Sequence, residues 1–189
     1  MPERNPEVMD FLMTRRSRLA KTLGNEAPDR AEIETLLTAA SRTPDHGRLE
    51  PWRFVVITEG REELAALFTA HALKAGVAAE RAEKNAQSFS YGGVIIAVIA
   101  SPKVHPTIPA WEQELAAGAV CLSLLNAALA SGWGANWLTG PMARDAGFLA
   151  EAFGCTEGEF VAGYIHIGNE EKVPTERGRP DVAAITTWR

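Results

Sequence analysis

The sequence lacks most of the motifs by which enzymes hold nucleotides, metals or nucleophiles. Its two cysteines, Cys121 and Cys155, form no C-x-x-C pair, and its four histidines lack the spacing of a metal site. It contains neither a G-x-x-x-x-G-K-[ST] loop nor a G-x-S-x-G elbow. Residues 132–134 begin like a dinucleotide fingerprint, but Trp137 stands where the third glycine belongs. These absences favour a bound cofactor over a side-chain nucleophile as the source of any catalysis.

Basic charge is also scarce, since 19 Lys and Arg face 24 Asp and Glu, for a net charge of -5. Domains that bind nucleic acid usually carry a basic surface, so we expect no nucleic-acid partner. Residues 1–10 contain acids and precede no apolar run, which predicts no signal peptide and, with few cysteines, a cytoplasmic protein. Residues 115–143 carry no charge and are long enough to cross a bilayer, but glycine, serine and asparagine interrupt them. We therefore expect a helix buried in a protein core, and no membrane.

Hydrophobic periodicity predicts one domain over residues 1–189, with helices and short strands interleaved in an α/β or α+β arrangement. Residues 94–100 form an uninterrupted apolar run that is typical of a central strand covered on both faces. The predicted helices cover residues 6–14, 30–43, 60–74, 110–130 and 141–154, and the predicted strands cover 54–57, 94–100, 135–138 and 160–167. Residues 78–90 are expected to form a helix followed by a mobile loop, and residues 183–188 an extended tail.

Two basic clusters are candidate phosphate-binding groups. Arg15, Arg16 and Ser17 follow the first predicted helix, and guanidinium groups grip a phosphate with paired hydrogen bonds. A solvated basic turn at a helix end is the alternative interpretation. Arg177 and Arg179 form a second pair, for which a flexible polar tail is the alternative. Together the two clusters can surround one phosphate if the fold brings them close.

Two loops and the tail are candidate contacts for a ligand or a partner. Arg42 and His46 flank a proline turn rich in hydrogen-bond donors, for which an ordinary turn is the alternative. Residues 132–140 are rich in glycine, so their backbone can approach a flat ring closely. A tight helix-to-strand connection explains the same glycines equally well. Ile185 and Trp188 have little to pack on within their own chain, so we expect the tail to dock on a partner subunit.

Taken in order, these segments resemble the nitroreductase family, and in particular its short YdjA-like branch. The resemblance covers nearly the whole chain, and although each motif is short, their order and spacing together are specific. The matching segments are Arg15-Arg16-Ser17, Arg42 with Pro44-Asp45-His46, residues 51–57, Trp111-Glu112-Gln113-Glu114, residues 127–132, Trp137-Leu138-Thr139-Gly140, Phe153-Gly154-Cys155 and residues 161–168.

The resemblance implies a fold, an assembly and an activity. It implies an α+β fold, a three-layer α/β/α sandwich with a mixed sheet, and an intertwined homodimer with FMN at the subunit interface. It also implies an NAD(P)H-dependent oxidoreductase that reduces nitro, quinone or similar small-molecule acceptors. In the implied ping-pong cycle, NAD(P)H gives a hydride to flavin N5 and leaves before the acceptor is reduced. The flavin, and no side chain, is the expected catalytic group.

The resemblance also assigns roles to particular residues. FMN is expected to contact Arg15, Arg16, Ser17, Trp137, Leu138, Thr139, Arg177 and Arg179 of one subunit, and Arg42 and His46 of its partner. The nicotinamide nucleotide is expected to lie against Ala127, Ala128, Leu129, Ala130, Ser131 and Gly132. Leu138 stands where related sequences can carry a basic residue, so we expect a backbone contact there. Glu50 replaces a frequent glutamine, and we expect it to face solvent or an arginine.

Three functional interpretations stay open from the sequence. In the first, the chain is the oxidoreductase described above, with water or His46 as the source of protons. In the second, it is a flavin-binding carrier or sensor without useful turnover, which the absence of an acid–base pair allows. In the third, the same fold reduces one defined metabolite instead of many acceptors. Neither the physiological acceptor nor the choice of NADH or NADPH follows from these residues.

Overall fold

The computed structural model describes Met1 and residues 3–189. In these residues it contains six α-helices, four β-strands and several short 3₁₀ turns. The helices are α1 (Pro6–Thr14), α2 (Arg30–Ala40), α3 (Arg61–Lys74), α4 (Ala79–Ala86), α5 (Ala110–Ala130) and α6 (Ala146–Phe153). The strands are β1 (Trp52–Ile57), β2 (Val94–Ala100), β3 (Gly134–Leu138) and β4 (Phe160–Gly168). The α+β interpretation is confirmed, and the α/β alternative falls away.

The four strands form one sheet in the order β1-β2-β4-β3. All three pairings are antiparallel, because each strand begins opposite the end of its neighbour. Val94 at the start of β2, for example, pairs with Ile167 near the end of β4. The predicted mixed sheet is therefore wrong for the single chain. Strands β2 and β3 do run in the same direction, joined by a crossover through α5, but β4 lies between them and runs the opposite way, so no two neighbouring strands are parallel.

Strand β2 lies at the centre of the fold, and all seven of its residues are fully buried. Val94, Ile96 and Val98 face a core cluster shared with α2 and α5. Ile95 and Ile99 face a second cluster shared with α3, α4 and α6. A strand covered on both faces has no polar side, which explains its uninterrupted apolar sequence. The helices of the two clusters form the outer layers of the α/β/α sandwich.

Local signals in the sequence set several helix ends correctly. Asn5 caps α1, since its Oδ1 accepts a hydrogen bond of 3.1 Å from the Val8 amide. Asp29 and Glu32 form a reciprocal capping box at the start of α2. The predicted helix over residues 141–154 is instead divided. A 3₁₀ turn at Pro141–Ala143 precedes α6, and α6 receives its own cap from Asp145.

Two of the expected irregular segments have a different structure. The segment after α4 is a 3₁₀ turn, Gln87–Ser90, and its Phe89 is buried in the core cluster of α3 and α6. Burial of an aromatic ring anchors a segment that its polar sequence alone suggested was mobile. The tail contains a 3₁₀ turn, Ala183–Ile185, instead of the expected extended strand. That turn buries none of its residues within the chain.

Helix α5 is long and apolar enough to span a bilayer by length and composition, and 44% of its most apolar window is buried in the protein. Its buried residues, such as Val120 and Leu124, pack against β2 and β4. The face of α5 that carries Val120 and Leu124 is therefore apolar because it packs on the sheet, as expected for a core helix.

Phe148 should be the most sensitive position of the core cluster that covers the α3 side of the sheet. Its ring is fully buried and meets Phe68, Phe89 and Phe153 at centroid distances of 5.5, 6.0 and 5.8 Å. We expect Phe148→Ala to lower the free energy of unfolding by about 3–5 kcal/mol, because it leaves a cavity among three rings. Urea denaturation measures the change, and Phe148→Leu is the matched milder variant. A loss below about 1 kcal/mol for Phe148→Ala would contradict this packing.

Candidate functional site

The first arginine cluster is held against the edge of the sheet. Helix α1 ends at Thr14, and Arg15 has an extended backbone conformation that directs the following residues along β3. The Arg18 amide donates a hydrogen bond of 2.9 Å to the carbonyl of Ala135 in β3. The Arg15 guanidinium donates to Ser17 Oγ over 2.8 Å. These contacts give the Arg-Arg-Ser segment a defined position, which a solvated turn would not have.

The tail brings the second basic cluster to the first. Arg16 donates to the Thr175 carbonyl and lies 3.3 Å from the carboxylate of Glu176. The same carboxylate is 3.0 Å from Arg179. The two basic clusters therefore lie side by side, as their sequence allowed. The hydrogen bond that joins them links Arg16 and Thr175, which are 159 positions apart. Arg177 is exposed, and only its backbone amide contacts Glu176.

Positive charge accumulates around Arg15. Burial, and after it the positive charges of Arg179 and of the neighbouring arginines, lower the pKa of the Arg15 guanidinium. Within the described residues its Nε is buried and has no hydrogen-bond partner. A buried donor without a partner costs free energy, and an anionic oxygen at this point would satisfy it. The cluster therefore has the chemistry of a phosphate site, and it fits the phosphate of the FMN that the family resemblance implies.

A cavity of about 400 Å³ opens beside this cluster. Arg15 and Arg16 form one side of it, and Leu129, Gly132 and Trp133 at the end of α5 form another. The segment expected to contact the nicotinamide nucleotide thus shares a cavity with the expected phosphate-binding arginines. Within that segment the side chain of Ala128 is buried in the core, whereas Ala130, Ser131 and Gly132 are exposed.

The three expected flavin contacts of β3 are arranged differently from one another. Trp137 packs its ring over Gly163 and donates from Nε1 to the Ala162 carbonyl over 3.2 Å, so its side chain joins the core. Leu138 is half-buried, and Thr139 is exposed just beyond the strand. None of the three lines the arginine cavity among the residues described. Of the three, Thr139 is the most accessible to a ligand.

Arg42 and His46 lie on a different part of the chain. The adjacent Thr43 packs on α5, where its hydroxyl is 2.9 Å from that of Ser123. His46 Nδ1 is 2.8 Å from the carboxylate of Glu112 in the first turn of α5. Because an ionised carboxylate only accepts hydrogen bonds, this contact makes Nδ1 the donor and leaves Nε2 directed elsewhere.

The loop that follows His46 has an unusual backbone. Arg48 and Glu50 have φ angles of 53° and 49°, a left-handed conformation that costs free energy for residues other than glycine. The Glu50 amide donates to the carboxylate of Asp45 over 2.6 Å, which stabilises the turn. The Glu50 side chain is exposed, as expected.

Helix α5 separates the two groups of expected flavin contacts. Glu112 and His46 lie at its amino-terminal end, whereas Leu129 and the arginine cavity lie at its carboxy-terminal end. At 1.5 Å per residue, the 17 residues from Glu112 to Leu129 span about 25 Å. Within one chain, His46 and Arg15 are therefore too far apart to hold the same part of one flavin.

An apolar surface remains exposed on three segments of the chain. Helix α1 buries none of its residues, and the outer face of α5 exposes Trp111 by 60% and Leu115 by 66%. We call the following exposed side chains the apolar surface: Val8, Met9, Leu12 and Met13 of α1, Trp111, Leu115 and Leu122 of α5, and Val182, Ile185 and Trp188 of the tail. Exposed apolar side chains in this number are typical of surfaces that another chain covers.

Two acidic residues of these sites were not singled out from the sequence. Glu112 was noted only as part of a matching segment, and Glu176 was not noted at all. The spacing of Glu112 on α5 places it beside Trp111, but nothing in that spacing indicates that it faces His46. The proximity of Glu176 to Arg177 and Arg179 was the available signal, and it did not indicate a contact with Arg16.

Comparisons with known proteins agree on one family. The family described as the Nitroreductase family matches residues 12–169 of this chain. A relative from Escherichia coli K12, named "Putative NAD(P)H nitroreductase YdjA", is 32% identical over 184 residues, which cover 96% of this chain and 99% of the relative.

Solved structures with the same fold support this match. A structure from Bacillus cereus, described as a nitroreductase-like family protein, has a TM-score of 0.83 at 24% identity and covers 100% of this chain and 98% of that chain. A structure from Exiguobacterium sibiricum, described as "a putative nitroreductase in complex with FMN", has a TM-score of 0.70 at 20% identity and covers 96% of both chains.

Proposed function

This chain belongs to the nitroreductase family, and from that premise we propose that it is a homodimeric, FMN-dependent NAD(P)H oxidoreductase that reduces nitro, quinone or similar acceptors. The observation that carries the proposal is the cluster of Arg15, Arg16 and Arg179 beside the cavity at the end of α5. A buried Arg15 Nε without a partner among the described residues is the donor that a phosphate oxygen would satisfy. The name of the Escherichia coli relative and the FMN complex of the Exiguobacterium protein agree with this chemistry.

The arginines would hold the phosphate and ribityl end of FMN. Arg15 and Arg16 present guanidinium groups that bind phosphate oxygens with paired hydrogen bonds. Ser17 accepts from Arg15 and so sets the direction in which that guanidinium points. Leu129 and Gly132 supply an apolar wall and an accessible backbone on the opposite side of the cavity.

When bound, FMN would supply the redox chemistry, which is hydride transfer from NAD(P)H to an acceptor. The chain contributes position, positive charge and hydrogen-bond donors, and we assign it no side-chain nucleophile. His46 is the proposed source of a proton for the acceptor. Its Nδ1 is occupied by Glu112, which leaves Nε2 as the position for proton exchange.

A dimer would bring the separated contacts together. If two copies of α5 pack antiparallel through Trp111, Leu115 and Leu122, the amino-terminal end of one helix lies beside the carboxy-terminal end of the other. The two-fold axis of such a pair relates the two candidate sites, so both are built from the same residues. His46 of the partner subunit then lies near the arginine cavity, although α5 separates these two groups by about 25 Å within one chain. The exposed apolar side chains of α1 and the tail would be further contacts for the partner.

The visible spectrum tests the proposed activity directly. We expect the purified protein to contain FMN, identified after release by heat, and the flavin absorption to bleach on anaerobic addition of NADPH or NADH. Reoxidation by a nitro compound or a quinone completes the test. Bound flavin that neither nucleotide bleaches would instead indicate a carrier or sensor. A colourless protein that cannot be reconstituted with FMN would contradict the proposal.

Replacement of Arg15 tests the phosphate site. We expect Arg15→Gln to weaken FMN binding by about 10- to 100-fold, because charge-assisted hydrogen bonds to the phosphate are lost. Quenching of flavin fluorescence on titration measures the dissociation constant. Arg30→Gln is the matched control, since Arg30 is 93% exposed on α2 and pairs only with Glu34 among the described residues. Equal affinities of the two variants would exclude Arg15 from the phosphate site.

A charge on the apolar surface of α5 tests the dimer. We expect Leu115→Glu to shift the protein from dimer to monomer in analytical ultracentrifugation and to reduce FMN binding, because the site needs both subunits. Leu73→Glu is the control, since Leu73 is 47% exposed on α3, which belongs to the opposite layer. A Leu115→Glu protein that stays dimeric and keeps its flavin would place the interface elsewhere.

Replacement of His46 tests the proton source. We expect His46→Ala to lower the rate of acceptor reduction by about 100-fold while the rate of flavin reduction by NAD(P)H changes little. Stopped-flow measurement of the two half-reactions separates these effects. Glu112→Gln should produce a smaller loss, because it removes only the group that orients the ring. Unchanged rates in His46→Ala would assign proton delivery to water.

A further inference from the structure

The carboxylate of Glu176 lies inside the cluster that would bind the phosphate. It is shared by two guanidinium groups, 3.3 Å from Arg16 Nη1 and 3.0 Å from Arg179 Nη2. Arg16 is largely enclosed, with 16% of its side chain exposed, whereas 65% of the Glu176 side chain is exposed. An exposed carboxylate therefore bridges a largely enclosed guanidinium, that of Arg16, and a half-exposed one, that of Arg179.

The charges of the cluster do not balance. Four arginines lie near one another there, since the positive charges of Arg179, Arg18 and Arg16 all lower the pKa of Arg15. Glu170 pairs with Arg18, and both of those side chains are less than one-third exposed. Glu176 is the remaining carboxylate in ion-pair contact with the cluster among the described residues. An excess of positive charge therefore remains around Arg15, whose Nε is buried without a partner among the described residues.

We propose that Glu176 is an internal competitor for the phosphate site, which FMN must displace from Arg16 and Arg179 when its phosphate binds. This inference rests on the proposed function and adds a residue that sets the affinity of the site for FMN. A phosphate monoester carries nearly two negative charges and several acceptor oxygens, whereas the carboxylate carries one charge. A doubly charged phosphate therefore replaces Glu176 with a gain in attraction, and a neutral hydroxyl group does not. Glu176 thereby lowers the affinity of the site for FMN and leaves that for riboflavin unchanged, so it narrows the preference that the arginines give to FMN.

The position of Glu176 allows this exchange. Its other contact is with the Arg177 amide of the same exposed tail, at 3.0 Å, so its side chain can turn away without disturbing the core. The carboxylate of both ion pairs is open to water, and such pairs contribute little to stability, so a dianion with paired hydrogen bonds replaces Glu176 readily. Glu170 differs, because its more enclosed pair with Arg18 is expected to persist when the phosphate binds.

The affinity of the full-length protein for two flavins tests this inference. Any bound flavin is first released from the purified protein and removed. FMN and riboflavin are then titrated separately with the flavin-free protein, and fluorescence quenching gives each dissociation constant. We expect Glu176→Gln to bind FMN about 3- to 10-fold more tightly than the unchanged protein, and riboflavin with unchanged affinity. The gain should shrink at high salt, since it arises from charge. Circular dichroism confirms that each variant is folded.

Glu171→Gln is the matched control, because it removes the same charge from the same exposed tail, and Glu171 has no ion pair within the described residues. We expect it to change FMN affinity by less than about twofold. An equal gain in both variants would show a general charge effect and overturn the inference. Weaker FMN binding by Glu176→Gln would also overturn it, because Glu176 would then hold the arginines in place for the phosphate.

Failure of the proposed function gives a different result. If the unchanged protein binds neither FMN nor riboflavin, both the proposed function and this inference are wrong. If it binds FMN and Glu176→Gln binds it equally well, only the role of Glu176 is wrong. The measurement is one of binding, so it does not depend on turnover or on the identity of the acceptor.

Discussion

The two-sided burial of β2 is the constraint on which the rest of the structure depends. All seven of its side chains are removed from water, so both faces of the sheet need an apolar layer. Helices α2 and α5 supply one layer, and α3, α4 and α6 supply the other. Helix α5 meets this demand with one face only, and its opposite face remains apolar and exposed. The packing of the core thus creates the surface on which assembly is proposed.

The same helix determines the arrangement of the candidate site. His46 is held by Glu112 at one end of α5, and the arginine cavity opens at the other. A straight helix is a rigid spacer, so these two groups cannot approach each other by a local change in the chain. The proposed site therefore depends on the proposed dimer, and α5 is the element that core packing, the proposed assembly and the proposed ligand site share.

Electrostatics gives the arginine cavity its chemical character. Four guanidinium groups near one another are unfavourable unless anions accompany them, and Glu170 and Glu176 supply part of the compensation. The incomplete balance makes the cavity receptive to a further anion. The tail therefore has two roles, because it completes the positive cluster with Arg179 and carries the carboxylate that partly neutralises it.

The sequence by itself determined the elements whose signals are local. The 21 residues of α5, the apolar run of β2 and the first residues of α1 and α2 follow from spacing within a few residues, and the structure confirms them. Ordered motifs also indicated the family. The tertiary structure alone decided the all-antiparallel sheet and the contacts of His46 with Glu112 and of Arg16 with Glu176. These contacts join residues that are far apart in the chain. A local sequence pattern predicts the secondary structure of a segment, but it does not predict which distant charged residue the segment contacts.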